Sequence, residues 1–353
     1  MSQAKILMIV KYREDSGGRC AYDGTPHCYG GLYNSALFVV QMLNSFGIWA
    51  RLEQVCDNNG IDAVVFKWKP TTVIIEGLWV IPEKFVVLQR LHPLVSWIIR
   101  CHSEIPFIAY EGISMDWLTK YVQYSNLAIA SNSLYGTRDF ETIVSCANPS
   151  WNRFQLEKKV FHLPNWYPAV LPIDLKKPNN VLDVGCFGAI RPLKNQLIQA
   201  LSAVEWAKGL KKLLRFHVNG RMEQGGESVL KNMLALMTST HNILVQHAWA
   251  ERDQFLQRLS GMDVAMQVSF SETFDITAAD SVSLGIPLVT SDEVVWASPH
   301  SQAQQTNVAS ILVRLKAVSG RSKCIILSEN QLRLRLFCQD SEDTWKNFAS
   351  TQN

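Results

Sequence analysis

The sequence predicts an α/β protein of two Rossmann-like domains in series, each a parallel sheet covered by helices on both faces. Three observations predict it. Short apolar runs alternate with amphipathic stretches along the whole chain, the pattern of strand and crossover helix. The pattern lapses over residues 164–178, where Pro164, Pro168, Pro172 and Pro178 stand, and then restarts. The length of 353 residues, at roughly 100–200 residues per domain, also gives two domains.

Each element follows in order. Residues 6–10 read as a buried strand, and 13–31 as a polar, glycine-containing loop. Leu32, Ala36, Val39, Val40 and Leu43 recur at helical spacing, predicting a helix over 32–46 that Gly47 stops. Strands are predicted at 48–55 and 71–75. Pro82 opens the next helix, where its missing N–H is tolerated. Strands at 97–101, 127–130 and 160–163 complete the first half. Residues 164–178 read as a linker. Beyond it come strands at 181–187, 214–218, 243–246, 264–268 and 287–290, and helices at 193–208, 228–237 and about 302–318. The last segment, 328–348, reads as helix with a polar interruption at 339–343. The domains are therefore set at 1–172 and 173–327, with a helical segment at 328–353 expected to pack back on the N-terminal domain. Ligands of such sheets bind beyond the carboxyl ends of the strands, so the cleft between domains is the expected site.

Composition narrows the function. Hydrophobic residues make up 47% and charged residues 18%, which excludes disordered and fibrous classes. A formal charge of +3 does not announce a nucleic-acid or membrane partner by bulk electrostatics. The first apolar run is broken at Lys11, too early for a signal peptide or a membrane span. A cytoplasmic protein without integral membrane association is the expectation. The eight cysteines are scattered, with no C-x-x-C pair, which points to reduced thiols and no metal site.

The strongest constellation runs from Ser271 through Glu272, Thr273, Phe274 and Asp275 to Asp280, followed by Gly285-Ile286-Pro287-Leu288-Val289. Glu272 follows a buried strand, and Asp280 stands eight residues on, near the same face of the following helix. That helix N-terminus offers free N–H groups to an anion. Taken alone, the two acids are better read as a dipole-favouring residue at a helix start and a surface carboxylate. Arg191 and Lys194 stand three residues apart before another helix, where positive charge is unfavourable without an anionic partner.

These residues resemble the E-x7-E pattern of retaining GT-B glycosyltransferases of the GT4-like group, with Glu272 as first acid and Asp280 in place of the second. The resemblance extends over most of the chain. Cys186–Asn195 resembles the family's first C-domain strand and loop, Leu163-Pro164-Asn165 the end of its N-terminal domain, and Tyr29-Gly30-Gly31-Leu32 its glycine-rich first loop. It implies a metal-independent enzyme with no obligatory cofactor and a nucleoside diphosphate sugar, UDP-sugar foremost, as co-substrate. Glu272, His102, Arg191 and Lys194 are then the catalytic candidates. Gly30, Gly31, Gly188, Arg221, His247, Thr273, Phe274, Asp275 and Asp280 become donor contacts. The family has glycine where Thr273 and Asp275 stand, which bears on the sugar identity. No D-x-D occurs, the spacing that holds a divalent metal in the other common glycosyltransferase fold.

The acceptor is expected on the N-terminal domain. Residues 76–85 and 100–107 resemble phage-encoded glycosyltransferases, implying a 5-hydroxymethylated pyrimidine in double-stranded phage DNA as acceptor, modified in the host cytoplasm. Lys67-Trp68-Lys69 interleaves cation and aromatic, which suits phosphate and base contacts. Lys67, Lys69, Arg90 and Glu76 are the acceptor candidates, and for Glu76 an ordinary capping acid is the slightly favoured account. The rival acceptor is a surface polysaccharide or lipid-linked glycan. A non-catalytic nucleotide-sugar-binding module is the alternative from another class.

Overall fold

The computed structural model describes residues 4–11, 30–168, 180–223 and 225–352. The polar loop expected at 13–31 falls outside them except for Gly30 and Gly31, as do residues 169–178 of the expected linker. The described chain divides into two compact units. One takes 4–11, 30–168 and 338–352, and the other takes 180–223 and 225–337. The α/β expectation holds: each unit is built on a wholly parallel sheet.

The first unit contains β1 (Lys5–Lys11), β2 (Trp49–Val55), β3 (Thr72–Glu76), β4 (Ser96–Cys101), β5 (Leu127–Ser131) and β6 (Val160–His162). Their order in the sheet is β2-β1-β3-β4-β5-β6. Alternate side chains supply two separate cores, because successive residues of a strand point to opposite faces. Leu7, Ile9, Val73, Ile75, Trp97 and Ile99 fill one. Ile6, Met8, Val10, Ile74, Ile98 and Trp345 fill the other. Each such side chain contributes roughly 1.5–3 kcal/mol by leaving water.

The second unit contains β7 (Val181–Gly185), β8 (Leu213–Asn219), β9 (Ile243–His247), β10 (Val264–Gln267) and β11 (Leu288–Thr290), in the order β11-β10-β7-β8-β9. One face is apolar, with Leu182, Val184, Leu214, Phe216, Val218, Val264 and Met266 in a single core. The residues between them point the other way, and among these are Asp183, Arg215, His217 and Asn219.

Three expectations are corrected. The polar stretch 339–343 does not interrupt the last helix, which runs unbroken over Lys323–Thr351. Cys338, Ser341, Trp345 and Ala349 are buried at helical spacing, and Gln339, Asp340 and Asp343 form its exposed face. The helix expected at 193–208 begins later: Pro192–Lys194 is a 3-10 turn, Asn195 takes a left-handed φ of 56°, and the α-helix is Gln196–Leu210. The helix expected from residue 302 starts at Val308, where the Asn307 side chain caps it by accepting from the Ser310 N–H.

Candidate functional site

Two polar clusters stand at the carboxyl ends of strands, one in each unit. In the first, the sheet register places Glu76, the last residue of β3, opposite Arg100 of β4. Both are fully buried. A charge so placed is tolerated only when paired and hydrogen-bonded. Arg100 Nη1 donates to both Glu76 oxygens at 3.2 and 3.1 Å. Its Nε donates to the Leu163 carbonyl, and its Nη2 to the Pro164 carbonyl at 2.8 Å and Asn165 Oδ1 at 2.6 Å. Asn165 Oδ1 also accepts from the Ser35 hydroxyl. Arg100 thereby pins Leu163-Pro164-Asn165, part of the expected linker, to the sheet.

His102 completes the cluster. Its Nε2 meets Glu76 Oε2, and its Nδ1 lies 3.2 Å from the Asn132 amide nitrogen. Burial lowers the His102 pKa, Arg100 lowers it further, and Glu76 offsets only part of this. The ring is therefore neutral, with Nε2–H donating to Glu76 and Nδ1 accepting from Asn132. Burial pushes the Glu76 carboxyl up, but Arg100 and His102 outweigh it and hold it below the ordinary range. Glu76 is thus the counter-ion of a buried arginine, not an exposed capping acid.

Lys67, Lys69 and Arg90 do not join this cluster. Lys67 lies in the last turn of the helix Gly60–Trp68, and Lys69 ends that helix, three residues before β3 begins at Thr72. Arg90 lies in the last turn of the helix Lys84–Leu91, ahead of β4. All three are exposed and stand at the amino end of the strands, whereas Glu76 and His102 stand at the carboxyl end. Gly30 and Gly31 open the helix Gly31–Ser45 without a side-chain cap. A Cβ at either would meet nothing within 4 Å, so no close approach among the described residues requires glycine there.

In the second unit the Lys194 ammonium pairs with Glu272 Oε1 and lies 3.4 Å from Asp275 Oδ2. The turn Pro192–Lys194 and left-handed Asn195 deliver it there. Asn195 Nδ2 ties that bend to the Val268 carbonyl at 2.9 Å, beyond β10. Gly188, at φ 123°, lies against the Lys194 stem, where a Cβ would stand 3.4 Å from Cε. Its N–H donates to Asn219 Oδ1 at 2.7 Å. Burial acts to lower the Lys194 pKa, but Asp275 and Glu272 outweigh it and raise it. Burial and the Glu272 charge push the Asp275 carboxyl up to about 6, against Lys194 and the Ala278 N–H. Asp275 has left-handed backbone, φ 60° and ψ 89°, and its side chain caps the helix Ile276–Ser283 by accepting from that N–H.

The remaining expected donor contacts divide. Arg191 Nη1 meets Glu223 Oε2 at 2.7 Å. Asp280, expected as a donor contact, is 1% exposed and pairs with Arg252 at 2.7 Å. The Phe274 ring, 1% exposed, packs against Trp296 and Phe337 and supports the loop from inside. Thr273 is partly exposed beside it. The Arg221 guanidinium lies 5.5 Å from the Trp249 ring centre. His247 ends β9, and its ring is 5.8 Å from that of Phe187.

Sequence reasoning missed Arg100, Asn132 and Asn165 as functional neighbours, and Glu223 and Arg252 as the partners of Arg191 and Asp280. Arg100 had a signal: one cation inside the apolar run 97–101 needs a buried acid. Among the described residues no group of three or more His, Cys, Asp or Glu is placed to hold a metal ion, and no helix is long and apolar enough to cross a membrane.

No family model and no curated protein sequence matches the chain. Solved structures do match its fold. The α,α-trehalose-phosphate synthase (UDP-forming) of Burkholderia vietnamiensis is similar over 99% of this chain and 98% of that one, at 10% identity and a TM-score of 0.68. The E. coli trehalose-6-phosphate structure bound with UDP-2-fluoro glucose covers 99% of both chains, at 11% identity and a TM-score of 0.69. Anabaena Alr3699/HepE in complex with UDP matches 97% of this chain and 100% of its own, at 13% identity and a TM-score of 0.59. These likenesses establish the fold class, the α/β GT-B architecture of two parallel-sheet units.

Proposed function

We propose that this chain is a retaining glycosyltransferase that uses a nucleoside diphosphate sugar, with UDP as the nucleotide, and binds that donor on its second unit. The observation that carries the reading is the Lys194–Glu272–Asp275 cluster beside Gly188, at the carboxyl ends of β7 and β10. Structures sharing this fold hold UDP or a UDP-sugar analogue. In the transfer, the bond from the sugar's anomeric carbon to the diphosphate oxygen breaks, and its electron pair leaves on that oxygen. An acceptor hydroxyl oxygen bonds to the anomeric carbon from the same face, and its proton passes to the departing phosphate. Lys194 and Arg191 stabilise the charge that grows on the diphosphate, and Glu272 orients the sugar. No protein nucleophile and no obligatory cofactor enter this scheme.

The acceptor reading is finer. A 5-hydroxymethylated pyrimidine in phage DNA rests on the resemblance of residues 76–85 and 100–107. It loses force because Lys67, Lys69 and Arg90 stand at the other end of the sheet from His102, and the structural neighbours lend it no support. A surface glycan or lipid-linked glycan is the rival. Mass spectrometry after incubation with a panel of UDP-sugars and hydroxymethylated DNA, oligosaccharide or lipid-linked acceptor tests both. A mass increment of one sugar on DNA supports the first, and an increment on glycan alone removes it. Absence of any increment together with absence of UDP-sugar turnover leaves the non-catalytic binding module.

A further inference from the structure

The loop that carries Glu272 is anchored by residues far along the chain that the donor scheme does not use. It joins β10 to the helix Ile276–Ser283. The Phe274 carbonyl, two residues after Glu272, accepts from the Trp296 indole N–H at 2.7 Å. Trp296 is itself buried, and its ring centre lies 6.0 Å from that of Phe274. One side chain thus meets the loop twice, by a hydrogen bond to the backbone and by ring contact. Phe337 of the helix Lys323–Thr351 also packs on Phe274, with centres 5.3 Å apart.

That same helix holds Trp296 in place. Arg333 Nε donates to the Trp296 and Ala297 carbonyls, each at 3.1 Å. Asn330 is buried, and its Oδ1 accepts from the Ser298 N–H at 2.7 Å and the Ser301 hydroxyl at 3.2 Å. Glu329 Oε2 accepts from the Ser298 hydroxyl at 2.7 Å. Gln331 Nε2 donates to the Val282 carbonyl at 3.2 Å, near the end of the helix that Asp275 caps. Asn330, Arg333 and Phe337 recur at helical spacing, so one face of the helix makes these contacts. Lys194 has a separate support. Asn195 Nδ2, next to it in the chain, donates to the Val268 and Gln305 carbonyls at 2.9 and 2.8 Å. The cation and the acid that pair at the site are therefore fixed by different devices.

We propose that Trp296 and Arg333 are positioning residues for Glu272: they fix the loop backbone so that the carboxylate meets the donor sugar, and binding of the nucleotide does not depend on them. The inference rests on the reading of the second unit as a nucleoside diphosphate sugar site and adds what sets its sugar-dependent part. Removing the indole N–H orphans the buried Phe274 carbonyl and frees the backbone two residues from Glu272. A shift of about 1 Å in an orienting group costs on the order of 10² in rate. UDP lacks the sugar that Glu272 orients, and Lys194 keeps its own support. A looser loop also relaxes the hold of Glu272 and Asp275 on Lys194, so UDP binds no more weakly.

The test pairs steady-state UDP release with calorimetry of UDP binding, on the full chain and its variants. The donor is whichever of UDP-glucose, UDP-galactose and UDP-N-acetylglucosamine the intact protein consumes fastest. Trp296→Phe keeps a ring and removes the N–H, and Arg333→Met keeps the stem and removes the donor. Each should lower kcat by about 10- to 100-fold and leave the Kd of UDP unchanged or lower. Arg333→Lys, which can still donate, should recover part of the loss. In a Glu272→Gln background either change should slow turnover little further, because both act through the same carboxylate. Unchanged kcat in both variants, full multiplicative losses with Glu272→Gln, or UDP binding that weakens in step with turnover overturns the inference and leaves the donor site standing. Failure of the intact protein to consume any of the three donors overturns the donor reading and this inference with it. The Arg333 variants, altered at a partly exposed position, decide even if Trp296→Phe does not fold.

Discussion

The Asp275 carboxylate stands 3.4 Å from the Lys194 ammonium on a left-handed residue, φ 60°, at the first turn of the helix Ile276–Ser283. One side chain therefore does two things that an anionic ligand would otherwise do. It satisfies a helix N–H, and it shares Lys194 with Glu272. On the proposed donor reading, a diphosphate has to displace or neutralise this negative charge before it can use the same cation.

Replacing Asp275 by glycine should therefore strengthen UDP binding by about an order of magnitude, because an opposing charge within a few ångströms is removed. Glycine also suits the left-handed backbone. Loss of the cap costs about 1 kcal/mol, which the relieved backbone partly offsets. Calorimetry with UDP and a denaturant titration measure both. Weaker UDP binding in Asp275→Gly contradicts this account of the residue.

A pH dependence follows from the same carboxyl. Its pKa in the folded protein, about 6, is above the ordinary aspartate value. The protonated form is thus favoured by folding, and the stability it confers is present at low pH and lost as pH rises through about 6. UDP affinity should rise as pH falls from 8 toward 5.5, and the slope should flatten in Asp275→Asn. An equally steep slope in that variant would assign the titration to another group.

Lys194→Ala should lower turnover of the sugar donor by on the order of 10²–10³, the loss expected when one stabiliser of transition-state charge is removed. Arg191→Ala should act in the same direction. Steady-state rates of UDP release from the preferred donor measure it. Near-wild-type turnover in both variants removes the diphosphate role from these cations.

The buried pair in the first unit is testable by stability. Arg100→Leu strands the Glu76 charge inside the sheet and should cost about 3–5 kcal/mol. It also frees the Leu163-Pro164-Asn165 turn. A variant carrying both Arg100→Leu and Glu76→Gln should be more stable than Arg100→Leu alone. Additive losses in the double variant, measured by denaturant unfolding, would contradict a direct pair.

Much of this was legible in the sequence because the strands are buried on both faces. The largely apolar runs at 6–10, 71–75 and 97–101 are best satisfied inside a covered parallel sheet. Lys194 and Glu272 were legible because each follows a predicted strand on the side where loops gather. Their mutual pairing was not, since it depends on Asn195 turning left-handed between the turn and the helix. The polarity of residues 339–343 misled because polar residues on one face of a helix look like a break when read linearly. That Arg252 pairs with Asp280 was not legible, because spacing shows which face a residue occupies and not what lies opposite it.

The most direct measurement of the central claim is UDP release from a panel of UDP-sugars by the intact protein and by Glu272→Gln, a nearly isosteric change beside Lys194. The account predicts that the protein consumes at least one UDP-sugar and that Glu272→Gln folds with unchanged spectra but releases UDP on the order of 10² times more slowly. Turnover of the variant at the wild-type rate, or failure of the intact protein to bind any UDP-sugar, would contradict it.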